Sequence, residues 1–365
     1  MDKAGELKEK RARLWRFLDA RKLDGILITK RANFAWITAG GDNHIFLASE
    51  AGAASLLLTG NGDYLLAAWM DGDRLLAEEV AGQGYELRKY AWFEGRQKML
   101  EDLTRGLRIG SDLPVPGFQT VQEDWRELVY PLTDAEVDRA RQTGRLIEEA
   151  FLEVSLAVKP GDSELSIAGK LAEACTCRGI NMSVLLVGSD ERLYKYRHCL
   201  PTQKAVRNLV LMHVAGQRAG LHANITRMLH FGITPNDLKV RHTAVSFIHS
   251  QILNSLKSGE YFSNVFTKIK SAYAETGFEG EWKGHVQGGP AGYEACYPML
   301  LLDADARVQV NQTYDWLVTV PGTKSEELSL LTEEGVEVLS LSAGWPELTF
   351  VIDGKLYRMP DILEN

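Results

Sequence analysis

The sequence predicts a two-domain protein with an α/β domain at its N-terminus and a larger C-terminal domain that contains duplicated helix pairs. Three observations support this: strand and helix patterns alternate at the start, a long capped helix follows, and a weak repeat comes after it. A chain of 365 residues is long enough for two or three domains, each with its own core.

The N-terminal part alternates between helical and strand-like patterns. Residues 6–20 form an amphipathic helical pattern, and Leu75–Val80 is also read as helix. Short apolar runs predict strands at Gly25–Thr29, Ala53–Thr59, Tyr64–Ala68 and Leu107–Gly110. This alternation is typical of an α/β domain in which helices cover a sheet.

A change of pattern near residue 130 predicts the domain boundary. Thr133 followed by Glu136 is a capping box, in which each side chain binds the other residue's backbone N–H. Apolar residues then recur at helical spacing as far as Val154, which predicts one long helix. We therefore predict one domain over residues 1–130 and a second over 131–365.

Four glycines indicate an internal repeat in the second domain. Gly161 and Gly179 are 18 residues apart, and so are Gly259 and Gly277. In each pair, the first glycine is expected to end one helix and the second glycine the next. The spacing predicts two equivalent helix pairs.

Composition and the N-terminal segment indicate which partners and which cellular compartment to expect. The formal net charge of −8 argues against a nucleic-acid-binding surface. Four cysteines without framework spacing indicate reduced thiols. The charged N-terminus lacks a signal core, and no apolar run approaches membrane length. We expect a cytoplasmic protein with neither a nucleic-acid partner nor a membrane partner.

The segment from His213 to Arg227, HVAGQRAGLHANITR, carries the most specific signal. It resembles the metal-binding hairpin of the creatinase/aminopeptidase P/prolidase superfamily, peptidase family M24. Two aspartates eleven residues apart are typical of that hairpin, and here their positions hold His213 and Asn224. The segment Asp24–Gly41 also resembles the start of the creatinase-type N-terminal domain. The resemblance implies a creatinase-like α/β domain followed by an α+β pita-bread domain.

Further motifs of the superfamily follow in the same order. The YRHCLP segment resembles the loop with a substrate-contacting histidine, here His198, and GHVQGG resembles the motif with the ligand histidine, here His285. The segment GTKSEEL resembles the one that bears the last metal-bridging glutamate, here Glu326, with Glu327 expected on the surface. The remaining ligand glutamate is replaced by Leu317.

The ligand positions predict that the chain does not hold the paired metals of the family. Two dications need bridging carboxylates to offset their charge, and only Glu326 among the family positions is a carboxylate. We therefore expect no metal and no other cofactor. The alternative is one divalent metal at His213, His285 and Glu326, which are ligand types of a mononuclear zinc site.

The resemblance to creatinase implies a metal-independent hydrolase that acts on a C–N bond of a small amide, amidine or X-Pro-like substrate. His198 would move a proton, because histidine titrates near neutral pH, while His285 and Glu326 would hold the substrate. These three are the predicted catalytic residues. The predicted substrate contacts are Arg197, His213, Asn224, Tyr293 and Glu294.

Other functions of the same fold remain open from the sequence. One is a mononuclear-metal aminopeptidase or prolidase-like hydrolase, and another is a standard aminopeptidase P, against which the lost ligands count. The third is a catalytically inactive module that binds a peptide or protein. The resemblance also implies a homodimer and a small-molecule or short-peptide substrate.

Overall fold

The computed structural model describes residues 2–303 and 305–365. The chain divides into two compact units, Met1–Glu136 and Val137–Asn365. The boundary after residue 130, with a creatinase-like and an M24-like domain on either side, stays a prediction. In the described part of the chain, no helix has the length and apolar character needed to cross a membrane.

The first unit is an α/β unit, as the alternating pattern predicts. Its sheet has six strands in the order β4-β3-β2-β1-β5-β6 and mixes parallel with antiparallel pairs. A π-helical turn at Leu75–Glu79 takes the place of the predicted helix there. The elements are α1 (Lys3–Ala20), β1 (Gly25–Lys30), α2 (Arg31–Ile37), β2 (Ala51–Thr59), β3 (Gly62–Ala68), α3 (Gly72–Arg74), β4 (Glu86–Tyr90), α4 (Gln97–Leu103), β5 (Ile109–Ser111), β6 (Gln119–Thr120) and α5 (Arg126–Val129).

The predicted capping box forms at the start of α6 (Asp134–Ala157). The Thr133 backbone N–H donates to Glu136 Oε2 at 2.8 Å, and the Glu136 backbone N–H donates to Thr133 Oγ1 at 3.3 Å. These bonds satisfy N–H groups that a helix start otherwise leaves unpaired. The long helix therefore begins where the sequence places it.

The second unit consists of antiparallel hairpins, one short strand that pairs parallel to a hairpin strand, and helix pairs. One four-stranded sheet has the order β16-β9-β8-β7, another has the order β10-β11-β12-β13, and β9 contacts β12. The remaining elements are α7 (Glu164–Cys177), β7 (Asn181–Ser189), α8 (Glu191–Lys195), β8 (Leu209–Arg218), β9 (Leu221–His230), α9 (Asn236–Ser255), α10 (Phe262–Glu275), β10 (Gly288–Ala291), β11 (Gln312–Val320), β12 (Thr323–Thr332), β13 (Gly335–Val338), β14 (Glu347–Ile352), β15 (Lys355–Pro360) and β16 (Leu363–Glu364).

Two helix pairs lie at the positions where the sequence predicts the repeat. The pair α6 and α7 corresponds to α9 and α10, and the four repeat glycines all have positive φ. The backbone N–H of Gly161 donates to Val206 O, and that of Gly259 donates to Val308 O, both at 2.9 Å. The first glycine of each pair lies in the turn between the helices, four residues after the first helix ends, rather than at its end.

One face of β11 and β12 is covered by the second helix pair. Buried side chains of β11, including Tyr314, Trp316 and Val318, pack in one cluster with residues of α9 and α10. Because side chains alternate along a strand, Asp315 and Leu317 point to the opposite face. That face carries the candidate site.

Candidate functional site

Strand register brings the family-motif residues onto one face of the second unit. His213 on β8 is paired with Thr226 on β9, and Leu317 on β11 is paired with Glu326 on β12. Directly opposed residues in an antiparallel sheet point to the same side. The β9–β12 contact then places Thr226 against Glu326, with 2.6 Å between their side-chain oxygens.

Glu326 is the centre of a buried polar cluster. Its Oε2 accepts hydrogen bonds from Thr226 Oγ1 at 2.6 Å, His213 Nδ1 at 2.7 Å and Lys324 Nζ at 2.5 Å. All four side chains are buried. Burial by itself raises the pKa of Glu326, but His213 and Lys324 together hold it well below its usual value. Glu326 is therefore an ionised carboxylate with one oxygen surrounded by donors.

His213 is neutral in this cluster. Burial lowers its pKa more than Glu326 raises it, and Lys324 and His198 lower it further. A neutral imidazole that donates from Nδ1 to Glu326 carries its lone pair on Nε2.

His198 and His285 form an imidazole pair beside this cluster. Their Nε2 atoms are 2.8 Å apart, and the rings meet edge to face with centroids 4.7 Å apart. His285 Nδ1 lies 2.8 Å from Val286 O, so it must be the donor there. In a neutral pair, His198 Nε2–H then donates to His285 Nε2, and the exposed His198 keeps a lone pair on Nδ1.

Electrostatic effects connect the imidazole pair with the buried cluster. Burial lowers the pKa of His285, and the charges of Lys324 and His198 lower it further, whereas Glu326 raises it. The structure thus brings His198, His213, His285 and Glu326 within electrostatic range of one another. Their catalytic and substrate-binding roles remain predictions.

Asn224 extends the site through a carboxylate that the sequence motifs did not reveal. Its Nδ2 donates to Asp315 Oδ2 at 2.6 Å and to Ala295 O at 3.0 Å. Burial, followed by the charge of Glu326, raises the pKa of Asp315 well above its usual value. The signal that could have found Asp315 is strand alternation, since it lies two residues before Leu317.

Two of the other residues predicted to contact substrate, Arg197 and Tyr293, interact with neighbouring side chains. Arg197 forms an ion pair with Glu281 at 2.5 Å. Tyr293 is buried, and its hydroxyl accepts from Arg139 Nη2 at 3.4 Å, while Glu294 is half-buried. Their roles in substrate binding stay predictions.

Glu327 is not the surface charge that the sequence analysis predicts. It is buried on the opposite face of β12, where Oε1 lies 2.6 Å from Arg227 Nη1 and Oε2 is bonded to Ser340 Oγ. Arg227 also lies 2.6 Å from Glu148 on α6. The prediction failed because a buried arginine partner, 100 residues away in sequence, cannot be read from local pattern.

The residues at the family's ligand positions do not form a metal-binding group in this arrangement. Glu326 Oε2 is taken by Thr226, His213 and Lys324, and the lysine brings a positive charge. Asn224 directs its amide nitrogen at Asp315, and Leu317 has no donor atom. Within residues 2–303 and 305–365, no three His, Cys, Asp or Glu side chains are grouped to hold a metal ion.

Comparisons with known proteins identify the fold, and a family model matches part of the chain. Residues 138–314 match the model of Metallopeptidase family M24, and no curated protein matches the chain. Xaa-Pro dipeptidase from Bacillus anthracis is similar at a TM-score of 0.73 and 18% identity, over 98% of this chain and 100% of that chain. X-Pro aminopeptidase from Thermotoga maritima MSB8 is similar at a TM-score of 0.76 and 17% identity, over 97% of this chain and 99% of that chain. The N-terminal domain of FACT complex subunit SPT16 from chickpea is similar at a TM-score of 0.66 and 10% identity, over 93% of this chain and 97% of that chain.

The expectation of no cofactor is contradicted by these comparisons. The matched family is one of metallopeptidases, and the similar structures include an Xaa-Pro dipeptidase and an X-Pro aminopeptidase. The expectation relied on lost carboxylates alone. Metal ions also accept water and backbone oxygens as ligands, so the loss of carboxylates does not establish that no ion binds.

The predicted fold class is confirmed, because the similar structures cover nearly the whole chain and share its N-terminal α/β unit and its pita-bread unit. The ordered motifs and the family match over residues 138–314 agree with each other. Residues 138–314 therefore match metallopeptidase family M24, and the chain has the fold of the Xaa-Pro dipeptidase and the X-Pro aminopeptidase.

Proposed function

We propose that this protein hydrolyses a C–N bond in a short X-Pro-like peptide or a small amide or amidine, with His198 as the proton-transfer residue. The observation that carries the proposal is the His198–His285 pair. Val286 O sets the tautomer of His285, which in turn leaves His198 Nδ1 able to accept a proton.

In the proposed reaction, His198 Nδ1 takes a proton from water as the water oxygen bonds to the carbonyl or amidine carbon. The C–N bond then breaks, and His198 returns the proton to the leaving nitrogen. His285 supports the charged form of His198 by accepting its Nε2–H. Glu326 holds the polar end of the substrate. No step is assigned to a metal ion, since the residues at the ligand positions do not fit one as arranged.

An apolar recess beside His285 supports a substrate with a compact apolar group. The recess has a volume of about 270 Å³ and is lined by His285 together with Phe266, Trp282, Met299 and Leu301. Apolar walls with few polar groups are typical of small-ligand sites. A proline ring or an alkyl amide matches this lining in polarity.

The decisive test is the hydrolysis of a panel of X-Pro dipeptides, small amides and amidines. For His198→Ala, we expect kcat/KM to fall by about 100-fold or more, the usual contribution of a positioned acid–base group. The control is His44→Ala, which removes a histidine bound to Asp42 in the first unit and is expected to leave the rate unchanged. Equal rates in wild type and His198→Ala would contradict the proposal.

A second candidate is a binding module without catalysis. The observation in its favour is the shared fold of the SPT16 domain, because one fold supports different functions. This candidate would be favoured if peptides of the substrate panel raise the melting temperature of the protein but none of them is hydrolysed at any pH. The homodimer implied by the resemblance and the cytoplasmic location expected from composition also stay predictions.

A further inference from the structure

Lys324 is a buried cation that no motif of the sequence analysis assigns. Its side chain is only 5% exposed, and Nζ lies 2.5 Å from Glu326 Oε2. A buried lysine needs a partner to keep its charge, because desolvation penalises the ammonium. Glu326 is that partner, and the two residues share one face of β12 because they are two positions apart.

The ammonium of Lys324 is bonded to Glu326 Oε2, the carboxylate oxygen that a metal ion would need as a ligand. Among the five family ligand positions, Glu326 is the only carboxylate, and its Oε2 already accepts from Thr226 and His213 as well as from Lys324. A dication bound to this oxygen would lie against the ammonium, and two like charges at such a distance repel strongly in a buried site. The metal and the lysine therefore exclude each other at this oxygen.

We propose that Lys324 is a built-in competitor for divalent cations at Glu326, so that a metal ion binds there only when the ammonium moves away. The competition would explain why a chain that matches a metallopeptidase family has a lysine bound to Glu326, the carboxylate at a family ligand position. It concerns cation binding alone and is independent of the proposed hydrolysis, so either can fail without the other.

Lys324→Met tests the competition, because methionine fills a similar volume without the charge. Equilibrium dialysis and calorimetry with Zn²⁺, Mn²⁺ or Co²⁺ alone measure affinity and stoichiometry, with no need for activity. We expect Lys324→Met to bind the preferred ion about tenfold or more tightly than wild type, because the opposing charge is gone. Lys268→Met, at an exposed position on α10, is the control and should bind like wild type.

No gain in affinity for Lys324→Met overturns the proposal, whether both proteins bind equally or neither binds. Lys324→Gln keeps a polar side chain without the charge and replaces the methionine variant if that variant does not fold. The combined variant Lys324→Met with Glu326→Gln should lose the gain, since the freed carboxylate oxygen is what the ion would use. A gain that persists in the combined variant also overturns the proposal.

Discussion

The two faces of β12 each bury one glutamate, and the two carboxylates have different kinds of partner. On the site face, Glu326 is bound by His213, Lys324 and Thr226. On the opposite face, Glu327 is bound by Arg227, which also pairs with Glu148. Imidazole and ammonium groups can release a proton or change partner, whereas a guanidinium stays charged. We therefore expect the Glu327 face to stabilise the fold and the Glu326 face to carry the proposed chemistry.

The largest expected effect is on the free energy of unfolding, and it comes from removing the guanidinium of Arg227. Arg227→Met leaves Glu148 and Glu327 buried without their shared partner, which typically costs about 3–5 kcal/mol. Urea unfolding measures the loss. Arg145→Met is the matched control, because Arg145 pairs with Glu149 at the surface and such pairs contribute about 0–1 kcal/mol. A stability of Arg227→Met equal to that of the control would show that the Glu327 face is not structural.

Neutralising each glutamate in turn separates the two faces directly. Glu327→Gln should lower the free energy of unfolding by about 1.5–3 kcal/mol, because it weakens charged hydrogen bonds to Arg227. It should leave the hydrolysis rate of the folded protein unchanged. Glu326→Gln should reduce that rate, because the carboxylate proposed to hold the substrate is lost. Identical effects of the two variants on rate and stability would remove the distinction.

The smallest expected effect concerns His249, which is buried on the Glu327 side and bonded to Ser325 Oγ at 2.9 Å. Burial lowers its pKa to about 3. Between about pH 6.5 and 3 the unfolded chain therefore binds a proton that the folded chain does not, and stability falls as pH drops. This amounts to about 1 kcal/mol between pH 8 and pH 6.

His249→Gln should remove that share of the pH dependence, measured as the difference in urea unfolding between the two pH values. His44→Gln, at a partly exposed position, serves as the control. Buried His213 and His242 also have lowered pKa values, so some pH dependence should remain in the variant. An unchanged difference for His249→Gln would mean that this histidine does not stay neutral in the folded chain.

Local patterns predicted the parts of the fold that depend on neighbours in sequence. The capping box of Thr133 and Glu136 needs only four consecutive residues, and the repeat glycines report turns that form within each helix pair. The turn geometry shows the limit of such patterns. Gly161 is held by Val206, which belongs to a distant segment, so its exact place in the turn could not be predicted.

The sequence by itself determined the fold class and which positions correspond to the ligands of the family it resembles, because motif order and hydrophobic period are local properties. Only the tertiary structure decided the partners of the charged groups. The pairing of Asp315 with Asn224 and of Arg227 with Glu327 follows from strand register and from the contact between β9 and β12. Lys324 reaches Glu326 because the two side chains share one buried face of β12. Desolvation makes an unpaired buried charge costly, so a buried group takes whichever partner the packing places within reach.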